Sequence, residues 1–314
     1  MIDRACVSIS GHCNLRCSYC HFRGEGEEYE DMTISQARRI MDNMIEYAEV
    51  NGVEKFKVGL LGAGEPLLRF DLIKDIVNYS RKSDIFSFYT ITNGTIVSNE
   101  ILSFFDSERE RIELNFSLDG HQELHDLCRK TRNGAGTHDV VMGAINRYGS
   151  IFGVKPNINC TVNAKTIENK DMLFGFLKAN GFNRVSFSRM VGALHLGLNI
   201  TTASFDGFLS EAMDQGFIMR QSSKKDSYDC TMYGRKCGVG RTNIFYSGGK
   251  IFPCGRFVRL DDYILGQYDT PLHEVEENMR MLRTSTPDEC YYDSMIVERR
   301  ADPIIMAHGP GEAF

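Results

Sequence analysis

Apolar residues recur along the first two-thirds of the chain with two alternating periods. Short runs at Ala5–Ser10, Phe56–Leu61, Ile85–Thr92, Ile112–Leu118, Asn157–Val162 and Arg184–Arg189 are continuous or alternate with polar residues, and each predicts a strand. Between them Thr33–Val50, Phe70–Ser80, Glu100–Phe105, His138–Phe152 and Asn169–Asn180 predict helices. Thr33 is placed as the N-cap of the first helix, with Gln36 at the capping-box position. Asn93-Gly94 and Asp119-Gly120 are turn signals that close two of the strands. About six strand–helix repeats of this kind predict a parallel sheet, doubly wound or curled into a full or partial barrel. Ligand residues in such sheets gather at the carboxyl ends of the strands.

The pattern changes after Gly192. Ala203–Gly216 predicts one more helix, and Gln221–Tyr228 is a polar, charged linker. The stretch from Cys230 to Cys290 then carries four cysteines in turn-rich sequence, with a tight hairpin expected at Ile244–Tyr246, Ser247-Gly248-Gly249 and Lys250–Phe252. Pro271–Arg283 reads as a helix. Three segments result: a core over residues 1–200, a linker with a helix over 201–228, and a small C-terminal domain over 229–314 that a metal would organise.

Composition narrows the class. The 314 residues are 42% hydrophobic and 25% charged, as in an ordinary globular protein. A net charge of −6 argues against a nucleic-acid partner and an anionic membrane surface. No apolar run approaches the ~20 residues of a spanning helix. The N-terminus shows no basic segment followed by an apolar one, so no secretory signal is expected and a cytoplasmic location is. Ten cysteines in that setting point to metal or redox work rather than disulfides.

Cys13, Cys17 and Cys20 stand at C-x3-C-x2-C spacing just after the first expected strand. Three thiolates on one loop hold three corners of a cubane iron–sulfur cluster and leave the fourth iron open, whereas ferredoxin-type ligation fills all four. The competing reading is zinc, but zinc sites use C-x2-C pairs with a fourth ligand nearby. Cys230, Cys237, Cys254 and Cys290 offer four thiolates to a second, fully ligated cluster; a structural zinc or unrelated thiols are the alternatives. Cys6, Cys128 and Cys160 fall on expected strands or helices and read as packing. His12, His21 and His125 read as local structure. Glu25–Asp31 reads as a solvated loop near the open cluster, and Tyr291-Tyr292 as core or as lining of a channel. Asp261 and Asp262 are weak candidates for a base.

The Cys13/Cys17/Cys20 spacing, followed by the aromatic Phe22, resembles the radical S-adenosylmethionine (SAM) enzymes, in which the open iron holds the amino and carboxylate groups of SAM. Gly62-Ala63-Gly64-Glu65-Pro66 resembles the G-G-E-P motif that holds the amino end of SAM, with Ala63 where Gly is usual. Thr92-Asn93-Gly94 resembles T-N-G at the end of the third strand. Ser117-Leu118-Asp119-Gly120, with His125-Asp126 and Arg129, resembles the S-L-D-G…H-D…R pattern of the peptide- and protein-modifying branch, where the Ser and Arg contact the SAM carboxylate. Gly134–Asp139 resembles G-x-G-T-F-D, with His138 in place of Phe. The resemblance runs from about Ala5 to Cys290 and implies a partial (β/α)6 TIM-like barrel. It implies SAM contacts at Phe22, Gly62, Ala63, Gly64, Glu65, Asn93, Ser117 and Arg129.

Cys237-Gly238 through Gly249 to Cys254 resembles the auxiliary domains called SPASM when they hold two clusters and twitch when they hold one. The block that supplies a second SPASM cluster is missing, so one auxiliary [4Fe–4S] cluster is implied. In sulfatase-maturing enzymes an Asp follows the third auxiliary Cys; here that position is Gly255, and a sulfatase-maturing role is not expected. The resemblance implies oxidation, expected to be a cross-link, of a ribosomally made (RiPP) peptide by hydrogen abstraction from carbon. It implies an electron donor such as flavodoxin or ferredoxin. The chain begins almost at the first strand, so leader recognition is assigned to the barrel face or a separate leader-binding protein. The alternatives are a twitch-type dehydrogenase of an amino-sugar or cyclitol alcohol, and a non-enzymatic electron carrier, which would need no SAM pocket.

Overall fold

The expected capping box forms at the first helix: Gln36 N donates to Thr33 Oγ1 at 3.2 Å, and Thr33 N donates to Gln36 Oε1 at 2.9 Å. That helix ends at Gly52, whose φ of 67° is one that a glycine adopts without strain. The computed structural model describes residues 1–22, 29–191, 193–219, 228–283 and 285–294. Residues 25–28 of the charged stretch and 221–227 of the linker lie outside the described residues.

The core runs β1 (Arg4–Ser8), α1 (Ile34–Asn51), β2 (Phe56–Leu61), α2 (Phe70–Tyr79), β3 (Phe86–Thr92), α3 (Asn99–Ser107) and β4 (Ile112–Ser117). It continues with α4 (Gln122–Cys128), α5 (His138–Phe152), β5 (Ile158–Val162), α6 (Ala164–Glu168), α7 (Lys170–Ala179) and β6 (Arg184–Arg189). Then come α8 (Thr202–Asp214), β7 (Ile218–Met219), β8 (Tyr228–Asp229), β9 (Lys236–Cys237), β10 (Asn243–Ser247), β11 (Lys250–Phe252), β12 (Gly266–Gln267) and α9 (Leu272–Arg280).

Strands β1 to β6 are parallel neighbours in chain order, and the crossover helices make them a partial TIM-like barrel. The full sheet has ten strands in the order β12-β11-β10-β1-β2-β3-β4-β5-β6-β7. The expected hairpin, β10 and β11, thus belongs to the main sheet: β10 lies parallel to β1, with Arg4 opposite Asn243 and Val7 opposite Tyr246. Strands β8 and β9 pair separately.

Period-2 alternation sorts the side chains. Val58 and Leu60, Leu114 and Phe116, Ile158 and Val162, and Val185 and Phe187 are buried in one core with Ile40 and Met44 of α1, Ile73 and Ile76 of α2, Ile145 of α5 and Leu173 of α7. Each such side chain is worth about 1.5–3 kcal/mol when removed from water. The alternate positions on β4 to β6, among them Asn115, Ser117, Asn159, Thr161, Ser186 and Ser188, are polar and face the other way. On β1 to β3 that inner face is packed differently. A Cβ at Gly59 would sit 2.7 Å from the Tyr89 ring, so the glycine makes room for Tyr89, whose hydroxyl lies 3.7 Å from Cys6 Sγ.

The helix expected over Asn169–Asn180 forms as α7, and a further short helix, α6, precedes it. Asn163 caps the short α6 through Thr166 N at 3.1 Å, and Asn169 separates it from α7. Helix α4 and the two-residue β7 were not apparent from periodicity, because neither is long enough to display one.

Candidate active site

The loop after β1 carries Cys13, Cys17 and Cys20 at the carboxyl edge of the sheet. It is stitched down by backbone bonds from Arg16 N to Lys130 O (2.8 Å) and from Ser18 N to Cys128 O (3.0 Å). Asp31 holds its start, accepting from Gly11 N at 2.8 Å while paired with Arg69 at 2.9 Å. Burial is the chief reason the Cys17 thiol is pushed up to about 12; the neighbouring Cys20 and Cys13 add to it and Arg129 opposes it. A desolvated Cys17 thiol, which two neighbouring thiols would repel as thiolates, fits a group that brings positive charge. Among the described residues no three His, Cys, Asp or Glu side chains converge as a site for a single metal ion.

The Gly62–Pro66 turn after β2 lies directly on this loop. Glu65 N donates to His12 O at 2.8 Å, and a Cβ at Gly64 would overlap that same carbonyl. Gly62 takes the one unusual backbone angle of the turn, φ 141°, and Ala63 avoids the left-handed region. Ala63 therefore costs the turn no strain; its N–H donates to Ser8 Oγ at 3.2 Å.

Glu65 is 2% exposed, and its carboxylate is held by the end of β3. Oε1 accepts from Thr92 Oγ1 (2.7 Å) and Leu67 N (3.1 Å), and Oε2 accepts from Asn93 N (2.7 Å). Burial nevertheless raises its pKa from 4.5 to about 7, against the pull of those hydrogen bonds. A buried carboxylate held by hydrogen bonds, with Arg129 only a minor influence on it, is suited to an ammonium group. Asn93 also donates to Asn14 Oδ1 at 2.9 Å, and its Nδ2 lies 3.9 Å from Cys13 Sγ.

Asp119 gathers the third part of the site. Its Oδ2 accepts from Tyr19 Oη (2.5 Å) and Arg129 Nε (2.8 Å), and its Oδ1 from Thr161 N (2.9 Å). Its own N–H donates to His125 Nδ1 at 3.2 Å, and His125 Nε2 meets Thr137 Oγ1 at 3.0 Å. Burial lowers the His125 pKa to about 4, which keeps the ring neutral as that geometry requires. Asp126 caps the start of α5, accepting from Thr137 N and His138 N. Ser117, 9% exposed, ends β4 immediately before this network. Asp119 and Tyr19 were not singled out from the sequence. The signal was there, since Asp119 lies inside the Ser117–Gly120 motif and Tyr19 between two motif cysteines.

The C-terminal cysteines lie near enough to influence one another, although among the described residues no three of them close on a single point. Burial raises the thiol pKa of Cys230, Cys237 and Cys254, that of Cys254 to about 12, and each of the three feels Cys290 as well. Arg256 Nη1 lies 3.2 Å from Cys290 Sγ. Phe245, Phe252, Phe257 and Tyr292 form an apolar shell with Cys237, and Tyr291 packs against it. The Phe22 ring joins the two cysteine regions: it stacks on Phe245 with centroids 5.9 Å apart. A Cβ at Gly255 would sit 2.9 Å from Phe245 and 3.2 Å from Phe22. Cys128 and Cys160 are buried. Asp261 is paired with Lys250 at 2.9 Å.

The model of the radical SAM superfamily matches residues 7–164, half of the chain. The chain belongs to the radical SAM superfamily. Membership implies a [4Fe–4S] cluster and SAM, and the loop of Cys13, Cys17 and Cys20 with Glu65 and Arg129 beside it fits both. A cysteine-type anaerobic sulfatase-maturating enzyme of Clostridium novyi is 26% identical over 82% of this chain and 74% of its own length. Two solved radical SAM neighbours show the same fold. Native anSMEcpe with bound AdoMet aligns over 91% of this chain and 84% of that one, at TM-score 0.75 and 19% identity. The same protein is also solved with the Kp18Cys peptide. SuiB of Streptococcus suis, bound to precursor peptide SuiA, aligns over 91% of this chain and 68% of that one, at TM-score 0.69 and 18% identity. No helix among the described residues is long and apolar enough to cross a membrane.

Proposed function

We propose that this radical SAM enzyme oxidatively modifies a peptide, forming a cross-link or another two-electron product, with one auxiliary [4Fe–4S] cluster held by Cys230, Cys237, Cys254 and Cys290. The observation that carries this reading is the placement of those four thiols. They are electrostatic neighbours: Cys254 follows β11 of the strands that continue the barrel sheet from β1, and Cys237 lies in the separate β8–β9 pair. Cys230, Cys237, Cys254 and Cys290 would hold a second redox group there, with Phe22 and Phe245 between the two cysteine regions, and it would supply an acceptor for one electron. Relatives solved with a Kp18Cys peptide and with precursor peptide SuiA support a peptide as the substrate.

A cluster held by Cys13, Cys17 and Cys20, with SAM bound, would supply the means to take hydrogen from an unactivated carbon. The chain's own residues do the rest. Glu65 would receive the ammonium end of SAM, and Arg129, steered by Asp119, would receive the carboxylate together with Ser117. Gly255 leaves no space for an acidic side chain between Phe22 and Phe245, which separates this site from one that places a base there. A flavodoxin or ferredoxin is the proposed electron donor.

The test is an anaerobic assay of the reconstituted enzyme with SAM, reductant and any short peptide encoded beside its gene. Mass spectrometry is expected to show a peptide lighter by two hydrogens, with deoxyadenosine formed in step. Deoxyadenosine formed while every such peptide stays unchanged would overturn the peptide reading and turn attention to a small-molecule alcohol.

A further inference from the structure

Two largely covered guanidinium groups meet one carboxylate between the barrel and the C-terminal cysteines. Arg189 ends β6, and Arg256 lies in the turn after Cys254. Both side chains are 15% exposed. Arg256 is well engaged. Its Nη1 is 2.7 Å from Asp293 Oδ1 and 3.2 Å from Cys290 Sγ, and its guanidinium lies 4.2 Å from the centroid of the Tyr292 ring.

Arg189 is not. Its Nη2 stands 3.5 Å from Asp293 Oδ2, and its Nη1 stands 3.4 Å from Ile200 O. Both are at the outer limit for a hydrogen bond. Its Nε is buried with no hydrogen-bond partner among the described residues. A buried donor left unmade is costly, and a buried guanidinium most of all. Asp293 itself is 43% exposed, at the rim of the site.

The missing partner has a definite chemistry. The planar guanidinium fork matches a carboxylate in a bidentate pair, and Nε with one Nη is one of its two donor edges. Arg189 lies at the carboxyl end of β6, the end of the sheet at which Ser117 and Asp119 follow β4. From there it is tied through Asp293 to Arg256, next to Gly255 and the Phe22 ring.

We propose that Arg189 binds a carboxylate of the substrate, either an acidic side chain or a C-terminal carboxylate, and that Asp293 is the weak partner such a group displaces. The peptide nature of the molecule carrying that carboxylate rests on the reading above; the carboxylate site itself does not.

Calorimetric titration of the full-length holoenzyme with SAM, under anaerobic conditions, tests this. The probes are acetyl-glycyl-aspartyl-glycinamide, its asparaginyl isostere, acetyl-triglycine with a free carboxylate, and glutarate. The aspartyl peptide is expected to bind about tenfold more tightly than the asparaginyl one, as for a desolvated guanidinium–carboxylate pair. Arg189→Met is expected to erase that difference and Arg189→Lys to keep part of it, with the unfolding midpoint of both variants reported alongside. Asp293→Asn is expected to tighten binding of the aspartyl peptide about threefold by removing the competing carboxylate.

Preference for the aspartyl peptide alone assigns the site to an acidic side chain, and equal preference for acetyl-triglycine assigns it to a chain terminus. Glutarate bound as tightly as either peptide, and lost in Arg189→Met, upholds the carboxylate site while removing support for a peptide. Equal binding of the aspartyl and asparaginyl peptides, an unchanged preference in Arg189→Met, or no binding of any probe overturns the proposal.

Discussion

The phenol of Tyr19 donates to the carboxylate of Asp119 at 2.5 Å, across 100 residues of chain. The bond ties the cysteine loop to the end of β4, and the same oxygen of Asp119 orients Arg129. Asp119→Ala would leave Arg129 buried and unpaired, which costs about 3–5 kcal/mol for a buried ion pair broken on one side. Denaturant unfolding is expected to show that loss, and SAM affinity is expected to fall with it. Tyr19→Phe removes one buried hydrogen bond and is expected to cost about 1–3 kcal/mol, with slower or incomplete cluster loading.

Glu65 gives the stability of the SAM-free protein a pH dependence of known sign. Its pKa is raised from 4.5 to about 7 on folding, so the folded state holds the proton more tightly than the unfolded state. The stabilising contribution is complete below about 4.5 and is lost as pH rises toward 7. At 1.36 kcal/mol per pKa unit the loss is on the order of 3 kcal/mol. Glu65→Gln is expected to flatten unfolding free energy over that window, and SAM, by placing an ammonium beside the carboxylate, to flatten it in the unmodified protein.

Gly255→Asp tests the crowding around Phe22. The added side chain must displace Phe245 or Phe22, and overpacking of this kind costs about 1–3 kcal/mol. A lower thermal midpoint is expected, relieved when Phe22→Ala is combined with it. A Gly255→Asp protein as stable as the parent would mean that the Phe22–Phe245 stack is not as close as described.

Iron content separates the cysteines. Cys290→Ser is expected to lower the iron of the reconstituted protein by about four atoms per chain, the content of one cubane cluster, and to leave SAM binding in place. Cys160→Ser, at a buried position on β5, is expected to leave iron unchanged. Equal iron in both variants would remove Cys290 from the auxiliary set.

The barrel was legible because its elements are long enough to show their period. Thr33 and Gln36 marked the start of α1, and Phe56–Leu61 marked β2, because local chemistry alone decides those segments. The motif residues Glu65, Asn93 and Arg129 were legible too, and they meet where the carboxyl ends of β2, β3 and β4 converge. Relationships that depend on distant packing were not. Nothing near Asn243 announces that β10 pairs with β1, and nothing near Asp293 announces Arg189 and Arg256 as its partners. Gly255 was noted for lacking a carboxylate, but the rings that exclude one come from residues 22 and 245.

The pairing of β10 with β1 also sets an order of events during synthesis. One edge of β1 has no neighbour until residues 243–247 have left the ribosome, long after β2 to β6 are available. Until then the strand that leads into Cys13 has an open edge, a template for pairing with other chains. Closing it brings together segments more than 230 residues apart, a contact whose loop-closure cost makes it slow to form. The strand that leads into the cysteine loop is therefore completed last, after the loop's own contacts with residues 119–130 have become available.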